Sequence, residues 1–223
     1  MDVHPPFVSQ ASLPRHIPIF PLAGALLLPR TQLPLNIFEP RYIAMVNDAL
    51  ASDRIIGMTQ PLDDKAAASQ NPALYEIGCA GKITSFAELE DGRLLIMLTG
   101  IARFSIWREL PSNKPYRLFE VDYSAFADDL KLGFGEEKVN REQVLSTFRA
   151  YLKANDLKTD WGEIKAASNE LLVNSLATIA PFAVAEKQAL LEAPSLDARA
   201  ELLVALTEVT LKRSGGGSSR QLQ

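Results

Sequence analysis

A carboxylate, a guanidinium and a phenol stand almost side by side in Phe38-Glu39-Pro40-Arg41-Tyr42, where an extended stretch hands over to a helix. Such a set could grip a polar or aromatic ligand, or serve only as the joint between two structural elements. Other chemistry-bearing residues are sparser. Lys82 follows glycines in Gly78-Cys79-Ala80-Gly81-Lys82-Ile83-Thr84, but a phosphate-cradling loop needs serine or threonine directly after its lysine and an earlier glycine at a different spacing. The string reads as a strand carrying a lysine. His4 and His16 lack the spacing of a zinc-binding pair, so neither a metal nor a cofactor is expected. A serine-lysine dyad leaves no sequence trace because its members meet only in space. No catalytic residue is assigned. Arg93 and Arg103 either pin the sheet beside them or bind an acidic segment. The single cysteine, Cys79, cannot form an intrachain disulfide and reads as a small buried apolar residue in a reducing compartment.

The elements that must position these groups follow from periodicity. Proline punctuates Ile17 to Leu22, which suits an edge strand, and Ala25 to Pro29 reads as a short buried strand. Pro40 fits the first turn of a helix, where its missing donor costs nothing, and Ile43, Val46 and Leu50 recur on one face. Arg54 to Pro61 is another strand, followed by a polar surface loop from Leu62 to Pro72. Asp91-Gly92 between two alternating apolar runs predicts a hairpin with a two-residue type I′ turn. Leu94, Ile96 and Leu98 face one way and Leu95 and Met97 the other, placing this strand in the middle of a closed or covered sheet. Gly100 supplies a bend before Ile101 to Trp107, and Tyr116 to Tyr123 is one further strand.

Near Asp128-Asp129 the period changes from that of a strand to that of a helix. Val144 or Leu145, then Phe148 and Leu152, recur on one face of a helix. Asp160 begins a capping box for the next, with Ile164, Ala167, Leu171, Leu172, Leu176 and Ile179 as its buried stripe. Two more helices follow, the last opened by Ser195 with Leu202, Leu206 and Val209 in phase. The expected organisation is a flexible arm (1–13), a β-rich subdomain (14–126), a helical subdomain (127–213) and a disordered tail (214–223). Strands with one inserted helix, followed by a helical bundle, make an α+β chain.

Composition narrows the function classes. The chain has 223 residues, 47% of them hydrophobic, enough for a substantial core, and a formal charge of -4. Neither side of Asp122 is basic, which weighs against a nucleic-acid partner bound through phosphate neutralisation. Prolines break the apolar run after His16, arguing against a signal peptide, and no run reaches the ~18 apolar residues of a membrane span. A cytoplasmic protein without membrane association is expected.

The run from Ile17 to Leu50, IPIFPLAGALLLPRTQLPLNIFEPRYIAMVNDAL, resembles the opening of the N-terminal domain of Lon proteases. YEIGCAGKI, LEDGRLLIMLTGIARFSI, YRLFEVDY and PFAVAEKQALLEAPSLDARAELL are similar to later motifs of that domain, in the same order, from about Leu13 to Lys212. The resemblance implies a twisted β pseudo-barrel of PUA-like type with a helical subdomain after it, and a role in recognising substrate polypeptides. Since Lon continues into ATPase and protease domains, the resemblance also implies a stand-alone recognition domain.

The leading expectation is a non-catalytic module for unfolded or exposed polypeptide segments, an adaptor for a separate ATP-dependent protease. The alternatives are a nucleic-acid-binding PUA-like domain and an uncharacterised hydrolase. The expected peptide site is an apolar edge, Ile19, Phe20, Leu26, Leu27 and Leu28, with Phe38, Arg41 and Tyr42 beside it. Pro40, Asp91, Gly92 and Asp160 are expected to be structural.

Overall fold

Prolines and hairpin glycines divide the first half of the chain into strands, and a computed structural model describes residues 12–62, 71–156 and 161–215. The strands are β1 (His16–Pro21), β2 (Gln32–Ile37), β3 (Ile55–Thr59), β4 (Ile77–Glu88), β5 (Leu94–Leu110) and β6 (Leu118–Asp122), with α1 (Pro40–Leu50) between β2 and β3. They run in the order β2-β5-β4-β3-β1-β6, and β5 also pairs with β6. Five strands therefore close into a barrel, while β2 lies outside the closure along the first half of β5. The 17-residue length of β5 makes this possible: its Leu94 to Thr99 half pairs with β2 and its Ser105 to Leu110 half with β6.

Closure overturns one expectation. The proline-punctuated β1 is an inner strand, not an edge: His16 to Pro18 pair with β6 and Ile19 to Pro21 with β3. Splitting the ladder between two partners accommodates prolines that a continuous ladder would not. The segment Ala25 to Pro29 is irregular, not a strand, and is buried from Leu26 on. Gly100 explains its position. A Cβ at Gly100 would overlap the Leu28 carbonyl, so glycine lets the two backbones touch, and Arg30 N and Gly100 N bond across them to Gly100 O and Thr31 O at 2.9 Å each.

The Asp91-Gly92 hairpin forms with a longer turn than expected. Leu89 N donates to Arg93 O at 2.8 Å and Gly92 N to Leu89 O at 2.9 Å, leaving a three-residue loop in which Gly92 has φ +79°. A type I turn followed by a left-handed residue gives this geometry. Helix α1 does begin at Pro40 and buries Val46 as expected, but Tyr42, Met45 and Ala49 complete its buried face, with Ile43 and Leu50 only half-buried.

After two 3₁₀ segments, Ser124–Leu130 and Glu136–Lys138, the helices are α2 (Arg141–Ala154), α3 (Trp161–Ala166), α4 (Asn169–Ile179), α5 (Val184–Glu192) and α6 (Leu196–Gly215). The expected single helix after Asp160 is two, because Ser168 caps α4 by accepting from Leu171 N. The break turns Leu171 and Ile179 outward and buries Leu172, Val173, Leu176 and Ala177. Helix α6 buries Ala200, Leu203, Val204 and Thr207, leaving Val209 exposed. It also continues through Gly215, past the expected start of the tail. Most of the expected arm, most of the polar loop, Asp160 and residues 216–223 lie outside the described residues.

One apolar cluster runs from Leu26, Leu27 and Leu98 of the β-rich half to Leu172, Leu190 and Leu203 of the helical half, and a second fills the barrel around Ile17, Ile19 and Phe104. The two halves thus share a core. Among the described residues no helix is long and apolar enough to cross a membrane.

Candidate polypeptide-binding surface

Most of the expected apolar edge is inaccessible. Ile19, Leu26, Leu27 and Leu28 are at most 2% exposed, and Phe20 packs on Tyr42 with ring centroids 4.4 Å apart. Closure of the barrel removes Ile19 from any edge, and the shared core covers the leucines. Phe38 is different: it is 64% exposed at the end of β2.

Arg41 and Tyr42 line a cleft of about 430 Å³ with Pro21, Pro40, Tyr116 and Arg117, over buried Ile19. Its charges are matched internally. Arg41 Nε donates to Glu39 at 2.9 Å while its guanidinium covers the Tyr42 ring, and burial raises the Tyr42 pKa. Arg117 forms two bonds to Glu109. Lys114 and then the Tyr116 hydroxyl hold Asp48 below the usual carboxylate range, with Tyr116 donating at 2.6 Å. These pairs match the charges of the wall, and among the described residues they assemble no nucleophile beside a base.

A second concavity, about 530 Å³, lies where the two halves meet. Arg30, held at φ 65°, forms its floor: Nε donates to Glu170 Oε2 at 2.8 Å, Nη2 to Oε1 of the same carboxylate, and Nη1 to the Asp129 carbonyl at 2.7 Å. Its rim is apolar. Leu132 is 71% exposed, Ile179 69% and Leu171 46%, and Gln32 at the start of β2 lines the same concavity. From there β2 runs to Phe38 with only β5 as strand partner among the described residues. Gln32, Pro34 and Asn36 are exposed on one face of this strand. A free edge can receive an extended chain through main-chain bonds, although Pro34 contributes no donor to it.

Buried arginines hold the groove walls in place. Arg103 forms a two-pronged pair with Asp129 at 2.8 and 2.9 Å and donates to the Leu191 and Ala193 carbonyls, which joins β5 to the end of α5. It does not act with Arg93, which pairs with Asp91 at the hairpin tip. Arg199 donates to Leu190 O and Asn174, and Asn174 to Pro29 O, tying α6 and α4 to the segment before β2. Lys82 belongs to β4, so the glycine-containing string around it is strand. Among the described residues no cluster of His, Cys, Asp or Glu could hold a metal ion.

Residues 16–208 match the ATP-dependent protease La (LON) substrate-binding domain. The chain belongs to that family. Lon protease 2 of Myxococcus xanthus is 27% identical over 217 residues, covering 91% of this chain and 24% of that protein. The Lon protease of Escherichia coli K12 is 24% identical over 200 residues, covering 86% of this chain and 24% of that protein. The chain thus spans 24% of the length of these curated relatives. Two solved structures share the fold. The Lon N-terminal domain protein from Xanthomonas campestris superposes with a TM-score of 0.60 at 22% identity, covering 85% of this chain and 97% of that one. The N-terminal domain of Mycobacterium avium complex Lon protease gives 0.65 at 16% identity, covering 86% and 98%.

Within this LON domain, sequence reasoning missed the groove residues Gln32, Leu132, Leu171 and Ile179. Leu132 carried a readable signal, an apolar residue beside Gly133 in an aperiodic stretch, as did Pro34, whose place in β2 marks an edge. Leu171 and Ile179 had none, because their exposure follows from the break at Ser168.

Proposed function

We propose that this LON domain is a non-catalytic module that captures extended, apolar polypeptide segments along the free flank of β2, from Phe38 to the groove at Gln32. The observation carrying the reading is the continuity of a strand edge that is unpaired among the described residues with a groove lined by exposed Leu132, Leu171 and Ile179. Edge pairing supplies affinity without regard to sequence, and the apolar rim selects segments that a folded client would bury. The family's description as the substrate-binding domain of a protease supports it. Delivery to a separate ATP-dependent protease in the cytoplasm extends the same proposal.

Affinity should be modest. Ordering a flexible segment costs roughly 2–5 kcal/mol, which favours micromolar over nanomolar binding. The test titrates a labelled unfolded protein and a labelled RNA into the chain at low and physiological salt. Polypeptide binding with little salt dependence is expected, weakened by Leu132→Ser with Ile179→Ser. Because both side chains are exposed, this pair should leave the fold intact. Salt-sensitive RNA binding without a polypeptide signal would overturn the reading. The Arg41-Tyr42 cleft provides a second surface next to Phe38, and Arg41→Ala with Phe38→Ala distinguishes it: loss of binding there but not at the groove would relocate the site.

A further inference from the structure

The structure points to a specificity subsite, resting on the polypeptide-binding reading above: we propose that the apolar cavity within the helical half receives one leucine- or phenylalanine-sized side chain of a segment lying in the groove. The cavity encloses about 120 Å³ between α2, α4 and α6, with Phe148, Leu152, Leu176, Ile179, Val204 and Thr207 among its lining residues. An engineered protein cavity of about 150 Å³ with comparable lining stays dry and takes up benzene, so this volume suits a branched aliphatic or phenyl group.

Chemistry of the wall narrows the occupant further. Among the described residues that line it, none is charged. Thr207 is the most deeply placed hydroxyl, and it donates to Leu203 O of its own helix at 2.7 Å. A charged side chain entering there would lose its hydration without meeting an opposite charge, whereas an aliphatic or aromatic one would lose nothing. Phe148 is itself held edge-on against Trp161, with centroids 6.3 Å apart.

Ile179 connects this cavity to the polypeptide path. It lines both the cavity and the groove and is 69% exposed, so the two concavities share one apolar wall at the end of α4. A chain pairing with β2 and passing Gln32 enters the groove beside Ile179, where a side chain pointing toward the helices meets the cavity. The helical half then reads residue type, while the β2 edge reads only backbone.

The experiment compares two short neutral peptides, one with a central phenylalanine and one with alanine in its place, titrated into the full chain. Benzene is titrated separately while the methyl resonances of Val144, Leu176 and Val204 are followed. The phenylalanine peptide should bind about ten- to a hundredfold tighter, the range for burying one large apolar side chain. Benzene should shift those methyls. Val204→Phe fills the cavity and should bring the ratio close to unity without changing affinity for the alanine peptide. If Val204→Phe does not fold, Ile179→Asp at the exposed mouth should have the same effect on the ratio. Equal affinities in the unmodified chain, or a preference that survives in a folded cavity variant, would overturn the subsite while leaving polypeptide binding standing. Failure of both peptides to bind would overturn the polypeptide reading and the subsite with it, whatever benzene shows.

Discussion

Cys79 and Asp48 show how differently two side chains are treated by the same fold. Cys79 is fully enclosed in β4, and burial, reinforced by the nearby Asp129 charge, pushes its thiol well above the ordinary range. A thiolate is the reactive form, so native protein should not react with a thiol reagent until it is unfolded. Labelling at increasing denaturant checks this, and rapid native labelling would contradict the burial. Asp48 lies at the surface, where the bond from Lys114 and then that from Tyr116 depress its pKa. A depressed carboxylate contributes stability above its unfolded value and loses it as pH falls through the folded one. Tyr116→Phe removes one of these donors and should move the Asp48 pKa up toward 3.8, as followed by carboxylate NMR.

At the scale of elements, two glycines should respond in opposite measure to alanine. Gly92 has positive φ but open space around a Cβ, so Gly92→Ala should cost about 1–2 kcal/mol through backbone strain alone. Gly100 has no such φ, yet a Cβ there would overlap the Leu28 backbone, and Gly100→Ala should cost more than Gly92→Ala because β5 and the Leu28 segment must separate. Urea melts of both variants test the order. Ser168 makes a comparable case among the helices: Ser168→Ala removes the cap from α4 and should cost about 0.5–2 kcal/mol. Since α4 carries Leu171 and Ile179, a frayed start would also loosen the groove wall.

For the whole molecule, the buried Arg103-Asp129 pair is the test of whether the two halves behave as one. Arg103→Leu leaves Asp129 buried without its partner and should cost about 3–5 kcal/mol, with part of the loss recovered when Asp129→Leu is added. Because Arg103 reaches α5 carbonyls and the core cluster spans both halves, strand and helix signals should unfold together in the unmodified chain. The chain's residues by themselves determined the elements whose causes are local: the helix start at Pro40, the hairpin at Gly92, the alternation of β5 and the switch to helical period after Asp128. They also carried the ordered motifs by which the LON family is recognised. Tertiary structure alone decided which apolar residues face water. Leu26 to Leu28 looked like surplus for an edge and are core, because barrel closure and the helical half bury them; Leu171 and Ile179 looked like a buried stripe and are exposed, because a cap at Ser168 restarts the helix in a new phase. Exposure depends on what distant segments cover, and the pairings of β2 with β5 and of β1 with β6 are long-range facts that no local period encodes.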